Sequence, residues 1–222
     1  MAYSVHKNRK RRGVAAFGAI LLVFSFIGIC SVGYLVFNHF FGGPAGEEIR
    51  NPAEIARVEA FLTPIVMTDP APFSNPAALT NENRLKISVW FAMNYEVGFL
   101  DEIDFDEVGR MIIREDLVRR SHLRLFGTGA PAPVMQSFSY GDDVFEYDVV
   151  SQIFRVPLIG LANVYSPRIS SLIRSGNNLY ATVDFIDPAH EEITQYTPAS
   201  HSMIFTLTGP RGNEVIQSVS RN

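Results

Sequence analysis

The first feature of this 222-residue chain is a gap in charge: no Asp, Glu, Lys or Arg occurs between Gly13 and Gly46. Acidic residues are absent altogether before Glu47. Cysteine is almost missing too, since Cys30 is the only one, so no intrachain disulfide can staple the part that follows it. Cys30 itself reads as a lipid-facing or helix-packing thiol, because Ile29 occupies the position where a lipoprotein signal needs a small residue. There is no G-x-S-x-G, no phosphate-binding loop, no dinucleotide fingerprint and no Cys/His pair with catalytic spacing. We therefore expect a protein that is not an enzyme, with no catalytic residues, cofactor or metal.

What fills the uncharged stretch is apolar. Val14 to Phe37 is nearly continuous hydrophobic sequence. At about 1.5 Å per residue, a helix of that length crosses the ~30 Å hydrocarbon layer with some tilt. Residues 13–41 are expected to form one transmembrane helix, and its length exceeds the apolar core of a cleaved signal peptide. A small-residue stretch around Ala45 leaves cleavage as the alternative.

The tail before the span holds Lys7, Arg9, Lys10, Arg11 and Arg12. Those five leave 14 Lys and Arg to set against all 23 Asp and Glu, so the tail carries +5 and the remainder −9. A basic cluster beside a span stays on the cytoplasmic side. The expected topology is a cytoplasmic tail (1–12), a bilayer span, and everything after it outside the cytoplasmic membrane. A nucleic-acid role is excluded by the short tail and the acidic remainder, which repels phosphate.

After the span, residues 42–79 read as a juxtamembrane helix followed by a Pro-rich connector. Asn51 is the expected N-cap, Pro52 the first helical residue, and Glu54 the capping-box acid. Residues 80–222 read as one α+β domain. Its first helix starts at Thr80 and is apolar on most sides, which predicts burial on most sides. Asp106 to Gly109 predicts a turn between two short extended pieces, and a helix near Asp116 is expected to stop at Gly127. Beyond it, paired strands with tight turns predict an antiparallel meander whose one face is covered by the helices.

"DPAPF" at 69–73, "ISVW" at 87–90, "LRLFG" at 123–127, "FEYD" at 145–148, "FRVP" at 154–157 and the paired strands from Tyr165 to Ile186 occur in that order. The series resembles an uncharacterised group of single-pass membrane-anchored proteins of Gram-positive bacteria. That resemblance implies a cystatin-like or nuclear-transport-factor-like exported domain, a helix cradled by a curved antiparallel sheet, and brings no catalytic residues. Val149 and Val150 depart from it by standing where a turn normally carries polar residues.

Several residues are candidates for a site. Arg114, Arg119, Arg120 and Arg124 put positive charge on one helix of an acidic domain, a patch for an anionic partner or simply a solvated face. Trp90, Phe91, Tyr147, Phe154 and Tyr180 either line a pocket or fill the core. The acidic run Asp101, Glu102, Asp104, Asp106 and Glu107 lacks the calcium-loop spacing and reads as a solvated turn. His190 and His201, with Glu191 and Glu192, match no helical zinc motif, and His122 reads as a partly buried helix residue.

The leading functional expectation is a membrane-tethered interaction or scaffold domain whose partners are the bilayer and a protein or a second copy of itself. The alternatives are a cone-shaped domain that binds an apolar ligand or cell-wall fragment, and a subunit of a secretion or conjugation-type assembly.

Overall fold

The computed structural model describes residues 46–96, 104–157, 164–188 and 196–222. The basic tail and the expected span lie outside the described residues, as do Asp101, Glu102, His190, Glu191 and Glu192. Among the described residues no helix is long and apolar enough to cross a membrane.

The helices begin where the caps predict. Asn51 Oδ1 accepts from the Ala53 amide (3.0 Å) and Pro52 opens α1, Pro52–Val66. Thr80 Oγ1 accepts from the Asn83 amide (3.2 Å) to start α2, Asn81–Phe91, which runs on into a π turn at Ala92–Glu96. The helix α3, Glu115–Phe126, stops at Gly127, whose φ of +61° is the left-handed conformation that favours glycine. Pro64 lies inside α1, where its missing amide leaves one carbonyl, that of Ala60, without its i+4 donor, and the helix ends two residues later at Val66.

The strands are β1 (Glu47–Glu48), β2 (Met111–Arg114), β3 (Phe138–Tyr140), β4 (Asp143–Asp148), β5 (Ile153–Val156), β6 (Ser166–Ser175), β7 (Asn178–Ile186), β8 (Ala199–Thr208) and β9 (Val215–Arg221). They make two antiparallel sheets, ordered β1-β6-β7-β8-β9 and β2-β5-β4-β3. The chain is thus α+β. The expected single meander holds for β6 to β9, whereas the β4–β5 hairpin belongs to the second sheet with β2. The valines do not disturb that hairpin: Glu146 pairs with Arg155, Tyr147 with Phe154 and Asp148 with Ile153.

The core corrects two expectations. The folded unit runs from Gly46 to Asn222, so the segment read as a juxtamembrane helix and connector is part of it. α1 lays Val58, Phe61, Leu62, Ile65 and Val66 into the core of the five-stranded sheet. The helix lying on that sheet is therefore α1, not the Trp90 helix. α2 stands between two cores, with Ile87 and Phe91 facing the larger sheet's core and Leu85, Val89 and Trp90 the smaller one's. A helix apolar nearly all round suits such a position.

Sheet edges are closed by side chains and bridges. Pro167 has no amide to offer, the Ile169 amide donates to Glu59 Oε2 (3.1 Å), and Phe73 exchanges two 2.8 Å bonds with Val219 of β9. Such blunting suppresses strand addition. At the other end of β6, Gly46 lies against the Arg174 carbonyl so closely that any Cβ would collide with backbone. Gly46→Ala is expected to dislodge β1, read as lost hydrogen-exchange protection of the Ile49 amide, which donates to the Leu172 carbonyl at 2.7 Å.

Candidate interaction surface

The β4–β5 turn presents Val149 and Val150, 73% and 94% exposed. β-branched apolar side chains gain nothing from water, so a turn that displays two of them needs a reason to keep its shape. That reason is Asp148. Its Oδ1 accepts from the Val150 amide (3.0 Å) and the Ser151 amide (3.2 Å), and its Oδ2 from Ser151 Oγ (3.1 Å) and Arg155 (2.9 Å). The Arg155 guanidinium, with the turn amides, holds the Asp148 carboxyl down at about 2. Gln152 closes the turn at φ +54°, a strained value for a non-glycine residue, and its carbonyl accepts from the Glu115 amide at 2.9 Å. The finger is thus pre-organised, and a partner does not have to order it.

α3 separates the finger from the β8–β9 turn. Its N-terminus touches Gln152, and Tyr147 OH donates to Glu115 there. Nine residues and about 14 Å further along the helix, Arg124 donates to the carbonyls of Glu214 (2.7 Å) and Gly212 (3.1 Å). The Glu214 carboxylate binds Arg174, whose backbone abuts Gly46. The finger and the Glu214 carboxylate therefore sit at opposite ends of α3.

The arginine patch is divided by the same geometry. Arg114 pairs with Asp116 (2.8 Å) and Arg119 with Glu115 (2.6 Å), both at the finger end. Arg120, in the middle of the helix, is exposed and makes no ion pair among the described residues. Arg124 belongs to the other end, where it also lies over the Phe61 ring at 4.4 Å. Of the four cations, Arg114 and Arg119 face carboxylates, Arg124 faces carbonyls, and Arg120 has neither an ion pair nor a side-chain hydrogen bond among the described residues.

The aromatic candidates do not converge. Trp90, Phe91 and Phe154 are buried, Phe91 in one core and the other two in the second. Trp90 packs edge-on to Tyr140 with centroids 5.2 Å apart, and Tyr147 lies 4.9 Å from Phe154. Tyr180, half-buried, alternates with the buried Leu179 and Ala181 and so lies on the opposite face of its sheet. His201 stacks on Phe185 (4.3 Å) with Nε2 3.3 Å from Asp69 Oδ1. His122 is almost fully buried, more so than expected. Asp106 spends its carboxylate on the Val108 and Arg110 amides and the Arg110 guanidinium, as a turn residue does. No group of three metal-ligating side chains occurs among the described residues.

One cluster escaped the sequence reading. Glu54 and Glu214, 3% and 2% exposed, are gripped by Arg57, Arg174 and Arg211. Glu54 precedes Val58 and Phe61 at helical spacing on the apolar stripe of α1. A charge on that stripe demands a partner, and this was the available signal.

Compared with protein-family models, with curated proteins and with solved structures, the chain matches none.

Proposed function

We propose that the chain is a membrane-tethered, non-enzymatic interaction or scaffold domain held outside the cytoplasmic membrane by one span, and that it presents the Val149–Val150 finger to a protein partner. The observation that carries this reading is the pre-organised apolar finger of the β4–β5 turn, displayed to solvent and held by the Asp148 carboxylate. A partner with an apolar recess fits the two valines, and an acidic rim suits Arg120, exposed on the neighbouring helix with no ion pair among the described residues. The signal-anchor layout of residues 1–41 supports the topology. The helix laid along an antiparallel sheet supports the cystatin-like or nuclear-transport-factor-like reading, to which the four-stranded sheet is an addition.

Two measurements on the full chain in cells test it, with Cys30 replaced by serine. An impermeant thiol reagent should label Ser200→Cys and spare Ser4→Cys; labelling at position 4 alone overturns the topology. A photo-crosslinker at position 150 should give a discrete adduct that one at Gln217, exposed on β9, does not, and Arg120→Glu should weaken it. Val150→Asp should abolish the adduct while changing stability by no more than about 0.5 kcal/mol, as surface substitutions do. Equal adducts from positions 150 and 217 would remove the finger from the reading.

A further inference from the structure

The two sheets differ on the faces they turn away from their cores. In the four-stranded sheet the outward side chains include Arg114, Glu146, Asp148 and Arg155, alternating with the buried Ile113, Phe145 and Phe154, as on a solvated face. On β6, β7 and β8 the outward positions are almost without charge. Tyr180 stands opposite Ile173 on one side and Thr206 on the other, and Thr182 stands opposite Ile204. None of these joins either hydrophobic core, and α1 lies against the other face. The ionic side chains on these three strands, Arg168 and Asp184, neutralise each other at 2.8 Å, and at the β1 edge Glu48 is closed by Arg50 at 2.6 Å.

A face of this kind complements its own copy. Like charges repel across a two-fold axis, whereas a hydroxyl both donates and accepts, so Thr182 and Thr206 find their complement in the same residues of a second chain. Residues 13–222 carry a net charge of −9, so two copies repel at most approaches and least where charge is absent. Tyr180 and the two isoleucines supply an apolar centre among serines and threonines, and an aromatic centre with depleted charge is what separates an interface from ordinary surface. Three strands about 4.8 Å apart and about 30 Å long give a footprint of roughly 430 Å² per copy, the scale of a weak, reversible contact. Two chains tethered in one bilayer are held at the effective concentration such a contact needs. That confinement rests on the tether proposed above; the face does not.

We propose that the outward face of β6, β7 and β8 joins two copies of this chain, sheet on sheet about a two-fold axis that passes near Tyr180. The sheets then lie about 10 Å apart with their strands within about 30° of each other. β9 stays outside the contact, because twisted sheets splay toward their edges. Tyr180, which lines no pocket, is the anchor of this contact.

The test uses the full chain in cells, with Cys30 replaced by serine and a short, membrane-permeant bismaleimide as cross-linker. Thr206→Cys should give a species of twice the chain's mass, and Ser139→Cys, on the outward face of the other sheet, should not. Thr182→Arg, added to Thr206→Cys, sets like charges against each other across the axis and should cut that species roughly tenfold or more. The purified Thr182→Arg variant should melt with the parent in dilute detergent solution, because position 182 faces away from the core in a single copy. Val150→Asp should leave the species unchanged, so the face and the finger are judged separately. Alkaline extraction of the same membranes reports the tether: a chain that is extracted yet cross-linked keeps the face and loses the tether. Absence of the double-mass species overturns the face in either fraction. Equal products from positions 206 and 139, a product that survives Thr182→Arg, or adducts from position 206 to other proteins alone would overturn it as well.

Discussion

Trp90→Ala is expected to cost roughly 3–5 kcal/mol, as deletion of a buried aromatic ring does. The indole is 1% exposed and sits with Leu85, Val89, Ile113, Leu117, Val118, Phe145 and Phe154 in the core of the smaller sheet. Tyr140 meets it edge-on and Phe145 lies 6.4 Å away, so the hole would be walled by rigid rings that relax poorly. Against a typical stability of 5–15 kcal/mol the loss is large, and the melting point should fall by roughly 6–20 °C. Circular dichroism is the readout, since the variant has no tryptophan. Trp90→Phe is the control. Trp90 Nε1 has no hydrogen-bond partner among the described residues, so this change costs only packing, about 1–2 kcal/mol. An alanine variant that melts with the parent would refute the burial of this ring.

The second large effect concerns the carboxylates at the opposite end of α3. Glu214→Ala should destabilise by about 3 kcal/mol, because it takes the close anion from the half-buried Arg174 and leaves Arg57 with Glu54 alone. Arg57 and Arg174 each lie 2.9 Å from Glu214 Oε1, and the Gly212 amide donates to Oε2 at 2.8 Å. The same cluster sets the response to acid. Hydrogen bonds from Arg57, and then from Arg211, outweigh burial and hold the Glu54 pKa at about 2 instead of the usual 4.5. Burial raises Glu214, but its backbone amide, Arg57 and Arg174 outweigh it, so its pKa is lowered as well. Between those values the unfolded chain binds more protons than the folded one. The cluster's stabilisation is therefore complete above about pH 5 and drains away as the pH falls toward 2. Urea midpoints across that range should fall steeply in the parent and more shallowly in a Glu54→Gln, Glu214→Gln double variant. Identical slopes would show that the cluster does not govern acid stability.

Local signals carried much of the fold. Asn51, Thr80 and Gly127 each act within one helical turn, and Gly176 and Gly209 to Gly212 close hairpins between adjacent strands, so a short window contained both the cause and the effect. β2 was different. Met111–Arg114 is four residues long and pairs with Ile153–Val156, about forty residues away, and no local pattern names such a partner. The aromatic candidates failed as a pocket for a related reason. A run of large apolar side chains shows that they are buried, whereas whether they enclose a space depends on what packs against them.

The candidate site was half legible. Val149 and Val150 stood out as apolar residues in a turn, and the structure supplied the Asp148 cage that makes them a rigid finger. The arginine helix was visible as a charge pattern. Its division into paired cations, one cation without an ion pair among the described residues and one bonded across to the β8–β9 turn was not.

The sequence by itself determined the polarity of the chain, the uncharged stretch expected to span a bilayer, the helix caps and turns, and which side chains must leave water. These follow from composition and from periodicities of two and 3.6 residues, which act over a few positions. The tertiary structure alone decided that α1 and not α2 lies on the large sheet, that the strands divide between two sheets, and that Glu54 is neutralised from a residue 157 positions away. The physical reason is that hydrophobic burial has no direction and charge pairing no fixed sequence distance, so only the closed fold selects which buried face or charge meets which.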